Sequence, residues 1–414
     1  MLLLLYALRY DQYYGINNAV FIIERQNMNL QSLVLGVETY TQNRLNQFIE
    51  ELRELCSVDA YSYYKPGLDQ VALCLAARMR GLGMEVNIIE RDEWGNDLLG
   101  VIQGDGNGNV LLLGHTDTVY PVGIAGTRPL RLEGETLYGP GVCDMKGGIL
   151  SAIYALEALL ALGYRPFREL RFLCVSDEEI TKRHCLDIMQ RASQDCQGVL
   201  VLEAARSNGD IVSTRKGNAS YTLTAHGRSA HAGVEPEKGR NAIVEIAHQT
   251  LQFHGLNGWR EGVTINPGVI SGGTMPNVVP DFAEVQFDIR YLRSQDRIDT
   301  EKWWREIMQH QLVADVELTL EVDPDFKGPL ISTEESLKLA HAAQDIASLL
   351  GFSLEHVSTG GASDASYTSS FGIPTLDGLG PIGGLDHSPD EYLLVSSIAP
   401  RTALLSGLIA TVGQ

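Results

Sequence analysis

Three stretches of this chain follow one rule. VLLLGH (110–115), FLCVSDEE (172–179) and VLVLE (199–203) are each a run of mostly apolar residues that stops on a histidine or an acid. Apolar runs without alternation suit strands buried on both faces, the condition of a parallel sheet covered by helices. Helical periods surround them, at residues 40–54, at 69–82 before Gly83, and at 148–162 before Gly163. Shorter strand-like runs lie at 85–89 and 98–102. Strands alternating with helices predict an α/β fold on a mostly parallel sheet. In such sheets ligands gather beyond the carboxyl ends of the strands. His115, Asp177 to Glu179 and Glu203 all fall there.

The rule breaks near Ser213. Residues 221–225 alternate, 239–252 and 300–311 read as helices, and 263–271, 281–292 and 316–322 read as strands. Two helices among four strands predict a small α+β domain inserted into the larger one. From Leu330 the α/β character returns, with helices at 336–350 and 399–412. The expected division is a first catalytic part at 28–214, an inserted lid at 215–328 and a second catalytic part at 329–414. A chain of 414 residues is beyond the size at which single cores usually split. Residues 1–27 read as an extension: their apolar start is too short to span a bilayer and lacks the pattern of a signal peptide. No later stretch reads as transmembrane.

A net charge of −20 argues against nucleic acid or an anionic membrane as a partner. The six cysteines show no CxxC pairing and read as thiols of a reducing, cytoplasmic compartment.

Three adjacent carboxylates at the end of a core strand need an explanation, because they repel one another and are costly to desolvate unpartnered. A solvated loop or first helical turn is the simple answer. Other strand-end residues offer another. His115 and Asp117 lie two apart, so in extended chain Asp117 can hold one ring nitrogen while the other faces a metal; a strand-end histidine capped by an aspartate fits equally. Asp144, between the glycines of GPGVCDMKGG, reads most simply as a helix N-cap. Glu203 ends another strand, and His387 stands in GLDHSP. Taken together, this set suits a pair of divalent transition ions. One member of the Glu178–Glu179 pair is then left to move a proton.

The motifs GHTDTV, GVCDMKGG, the paired glutamates and DHSPDE, in that order, resemble the M20 metallopeptidase family. The resemblance covers nearly all of the chain after Met28. It implies that His115 and Glu203 bind one ion, His387 and Glu179 the other, and that Asp144 bridges them. Asp117 orients His115, and Glu178 is the general base and later proton donor. The ions would be zinc, with cobalt or manganese as substitutes.

In the lid, HGRSAHAG resembles the motif whose histidine, here His231, helps hold the transition-state oxyanion. Asn277 in GGTMPN and Arg290 in DIR match lid elements that bind substrate, Arg290 gripping a carboxylate. Gly360 in STGGASD matches a substrate loop more loosely. By residue type alone, His231 is a loop histidine and Arg290 one half of a surface ion pair. The resemblance also carries the expectation of a homodimer through the lid.

Glu at position 203 goes, in this family, with carboxypeptidases and deacylases rather than free-amine dipeptidases. The expected substrate is therefore an N-acyl amino acid or the C-terminal residue of a peptide, with glutamate carboxypeptidase-like cleavage first and an aminoacylase or small-molecule deacetylase next. From another class, a catalytically silent metal- or peptide-binding homologue would show a damaged ligand set, and every position is filled. A nucleophilic Cys143 lacks an identifiable histidine partner.

Overall fold

The computed structural model describes residues 29–414 except Thr181, Lys182 and Asp325. The extension read at 1–27 lies outside the described residues.

The central sheet has six strands in the order Glu85–Ile89, Asp97–Gln103, Glu169–Val175, Asn109–His115, Gly198–Val201 and Thr375–Leu376. The last four run parallel, and the first two join antiparallel at one edge. Every residue of Asn109–His115 is buried, which explains its unbroken apolar run. Leu30–Gln42, Leu45–Cys56, Lys65–Gly81, Gly147–Ala161, Glu334–Leu349 and Val395–Gly413 contribute to the larger core. Leu186–Ser193 and Ala365–Ser370 contribute to a smaller one. Val395–Gly413 is long and apolar enough to cross a membrane, yet most of it is buried within this fold.

The second domain is a four-stranded antiparallel sheet, ordered Thr264–Gly272, Phe282–Tyr291, Gly217–His226 and Glu317–Val322. Ala242–His254 and Ser294–Ile307 pack on it around a separate core. At its centre Trp304 stacks on Phe253 with centroids 4.6 Å apart and meets Tyr221 edge-on. The chain enters and leaves this domain side by side. Arg215 bridges Leu330, and Asn218 bridges Lys327.

The structure moves several expected boundaries. The helix read at 40–54 is two helices, broken at Asn43 and Arg44, and the first already starts at Leu30, capped by Asn29. The helix read from residue 300 starts at Ser294. Its polar opening turn hides the period, and it is anchored by buried Asp296, which accepts from Arg260 and Arg293. The helix read from residue 239 starts at Ala242, after the Asn241 cap.

Candidate metal centre

The centre forms where three parallel strands end. His115 closes Asn109–His115, the three acids follow Glu169–Val175, and Glu203 follows Gly198–Val201. Asp144 comes from a turn, Val142–Lys146, ahead of helix Gly147–Ala161. Two glycines make that turn. Gly141 has φ 72°, and a Cβ on Gly148 would sit 1.9 Å from the carbonyl oxygen of Leu202, beside the strand end that carries Glu203. Asp144 is no N-cap: Lys146 holds that position, and the Asp144 carboxylate turns to the histidines.

Asp144 spans two imidazoles. Its Oδ1 is 3.0 Å from His115 Nε2, and its Oδ2 is 3.3 Å from His387 Nε2. Glu203 Oε1 lies 3.7 Å from the same nitrogen of His115, and Glu179 Oε2 lies 3.2 Å from that of His387. His115, Asp144 and Glu179 bring one candidate ligand atom each within 4.8 Å of one another. His387 arrives on a left-handed backbone, φ 63°, uncommon outside glycine.

Asp117 is buried behind the centre. Its Oδ1 is 3.3 Å from His115 Nδ1, while its carboxylate accepts from Ser62 Oγ at 2.8 Å and from the N–H groups of Glu178 and Glu179 at 3.1 and 3.0 Å. His115 Nδ1 also lies 3.0 Å from the Asp117 carbonyl oxygen, so Asp117 fixes the ring through its backbone and side chain together, and its carboxylate fixes the turn carrying the paired glutamates. The three adjacent acids part company there. Asp177 turns back to accept from the N–H groups of His184 and Cys185, Glu178 meets Lys327 Nζ at 2.8 Å, and Glu179 meets His387.

Proton affinities reflect the crowding. Burial raises Glu203 well above the usual carboxylate range, with the Asp144 charge adding to it. Burial likewise pushes Glu179 up to about 7, against its bond to His387. Hydrogen bonds to Asp144 and Glu179 lift His387 to about 11. Burial works against protonating His115, but its bonds to Asp117 and Asp144 still raise it well above its ordinary value. The two histidines in turn hold the Asp144 carboxyl below the usual carboxylate range. Two nitrogen and several oxygen donors converging there fit transition ions, with Asp144 placed to be shared.

The expected lid residues do not join this cluster. Every hydrogen-bond and strand partner described for His231, Asn277 and Arg290 is a lid residue. His231 is exposed and pairs with Val278, Asn277 accepts from Ala232, and Arg290 forks Asp288 at 2.8 and 3.0 Å. Gly360 is exposed; the carbonyl of the next residue, Gly361, accepts from Arg215. The structure adds residues that the sequence did not single out: Ser62 on Asp117, Lys327 on Glu178, and Glu391. The only hint of Glu391 was its place in DHSPDE, four residues after His387.

Histidines and carboxylates gathered at strand ends, with a further glutamate beside them, define a metal-dependent hydrolase of amide or peptide bonds. Residues 111–411 match the model of peptidase family M20/M25/M40, and the chain belongs to that family. It is 28% identical to carboxypeptidase G2 of a Pseudomonas species over 373 residues, covering 88% of this chain and 89% of that protein. It is also 28% identical to a succinyl-diaminopimelate desuccinylase of Alkalilimnicola ehrlichii over 360 residues, covering 81% and 92%. Among solved structures, aminopeptidase PepT of Bacillus cereus shares the fold, with a TM-score of 0.74, 21% identity, and coverage of 89% and 99%.

Proposed function

We propose that the protein is a two-zinc amidohydrolase that releases the C-terminal residue of a blocked peptide or the amino acid of an N-acyl amino acid, in the manner of a glutamate carboxypeptidase. The observation that carries this reading is the Asp144 carboxylate set between His115 and His387, with Glu203 and Glu179 flanking. In it, His115 and Glu203 would hold one ion, His387 and Glu179 the other, and Asp144 would be shared. When bound, such ions polarise the scissile carbonyl and make water a stronger acid. Glu178 takes the proton of the attacking water and returns it to the leaving amine. The Glu178 turn is fixed by Asp117, and its carboxylate is oriented by Lys327.

Lid residues complete the reaction. His231 donates to the developing oxyanion and Arg290 grips the substrate carboxylate. Both lie apart from the cluster in this arrangement, so the reading requires the lid to approach the body, or the lid of a second subunit to supply His231. Exposed Ile243, Leu251, Val269 and Ile270 on one lid helix and its edge strand favour a homodimer formed there. All six cysteines are free thiols, which supports a reducing, cytoplasmic setting.

A cleavage screen with zinc-loaded protein tests the reading, mixing N-acyl amino acids, N-blocked peptides ending in Glu, and free-amine dipeptides, with mass-spectrometric detection. Release from blocked substrates bearing a free carboxylate is expected, and the acyl groups accepted decide between peptidase and deacylase. Cleavage of free-amine dipeptides alone overturns the substrate class. A protein that binds zinc and cleaves nothing is the silent homologue.

A further inference from the structure

Glu391 is a buried acid to which the reaction above gives no task. It is 1% exposed, and both of its oxygens are occupied by backbone donors. Oε1 accepts from the N–H groups of Cys143 at 2.8 Å and Asp144 at 3.0 Å, and Oε2 accepts from the N–H of Gly141 at 2.9 Å. Three backbone donors of one short turn thus converge on one carboxylate, and one of them belongs to Asp144 itself. A buried acid with this many backbone donors is a strong local clamp, because a buried N–H left without its acceptor is costly.

The frame holding the clamp is also fixed. Tyr392–Leu394 pairs antiparallel with Thr136–Tyr138, immediately before the turn, and the Glu391 carbonyl accepts from the N–H of Gly139. On the opposite side Met145 Sδ accepts from the N–H of His115 at 3.2 Å. The segment 387–391 therefore carries a candidate ligand at one end and the clamp on the shared ligand's turn at the other. Setting the two imidazoles about one carboxylate is the step that these contacts control.

We infer that Glu391 is a positioning residue for metal binding: it holds the Asp144 turn in its ligand-ready shape before any ion arrives. The inference rests on the two-metal reading, but concerns how the site is built rather than what it cleaves. The side-chain amide in Glu391→Gln keeps one acceptor and turns an NH2 toward the remaining donors, so at least one buried N–H loses its partner.

The test is zinc binding to the metal-free full chain, by competition with a chromophoric chelator at a temperature where both proteins are folded. Glu391→Gln is expected to weaken zinc affinity about 10–100-fold, the range for losing an outer partner of a metal ligand. A purely structural role would lower the melting temperature and leave zinc affinity unchanged, and that result overturns the inference. Should the variant not fold, amide exchange of the zinc-free parent decides. Protected Gly141, Cys143 and Asp144 amides support a preformed turn, and exchange at the unprotected rate overturns it. A parent that binds no zinc would remove the two-metal reading along with this one. A parent that binds zinc no more tightly than Glu391→Gln would remove this inference alone.

Discussion

The carboxyl edge of the central sheet and the inserted domain carry the same kinds of residue in different settings. At the sheet edge the acids and His115 are buried or half-buried, only His387 is exposed, and they meet one another across the fold: Asp117 with Ser62 and His115, Asp144 with His115 and His387, and Glu391 with the Asp144 turn. On the lid, His231 is exposed and Arg290 is satisfied by Asp288, two residues away on its own strand. The edge is rigid because its polar groups can be buried only when paired, and each partner comes from a different element. The described partners of His231 and Arg290 all lie within their own domain. On the proposed reading, the body organises ion binding in advance, whereas substrate recognition waits for the inserted domain to approach.

The contrast can be broken by experiment. Its most severe test is Glu178→Gln, expected to lower kcat about 1000-fold while both zinc ions remain, measured by kinetics beside metal analysis. Loss of zinc in parallel would make Glu178 a ligand and erase its separation from Glu179. Next is His231→Ala, expected to cost about 100-fold in kcat with unchanged zinc content. Mixing this variant with Glu178→Gln recovers activity only if His231 serves the partner's site. Arg290→Ala should raise KM about 10–100-fold for substrates with a free carboxylate, through loss of a charge-assisted contact. A KM that stays put would leave Arg290 as a partner of Asp288 only. The mildest effect on the site should come from the lid core. Trp304→Ala is expected to destabilise the lid by about 3–5 kcal/mol, seen in denaturant unfolding, with zinc affinity of the body unaffected. A drop in affinity would mean that the two regions are one cooperative unit.

What the sequence revealed follows the reach of each interaction. The strands ending in His115, Glu179 and Glu203 were legible because an apolar run and its terminal ligand are neighbours in the chain. The alternation that marks the lid was legible for the same reason. The helix starting at Ser294 was misplaced because its opening turn is polar and held by Arg260, far outside any helical window. Strand Thr375–Leu376 is two residues long and exists only because Gly198–Val201 pairs with it. Asp144 read as a cap because GPGVCDMKGG is written like a helix start; its carboxylate is turned by His115 and by His387, the latter more than two hundred residues later. Lys327 left no signature, and Glu391 only its place in DHSPDE. Each is an ordinary charged residue whose partner is brought to it by the completed fold.

The paired crossing at Arg215–Leu330 and Asn218–Lys327 has a consequence for the gene as much as for the protein. Because the two ends of the insert already touch, bridging them with a short turn would cost little loop-closure entropy and would require no rethreading of the body. The insert is in effect a removable cassette. On the proposed reading, a shortened chain would keep all five ligands but lose His231, Arg290 and Lys327, which meets Glu178 at 2.8 Å, so it would separate metal binding from turnover.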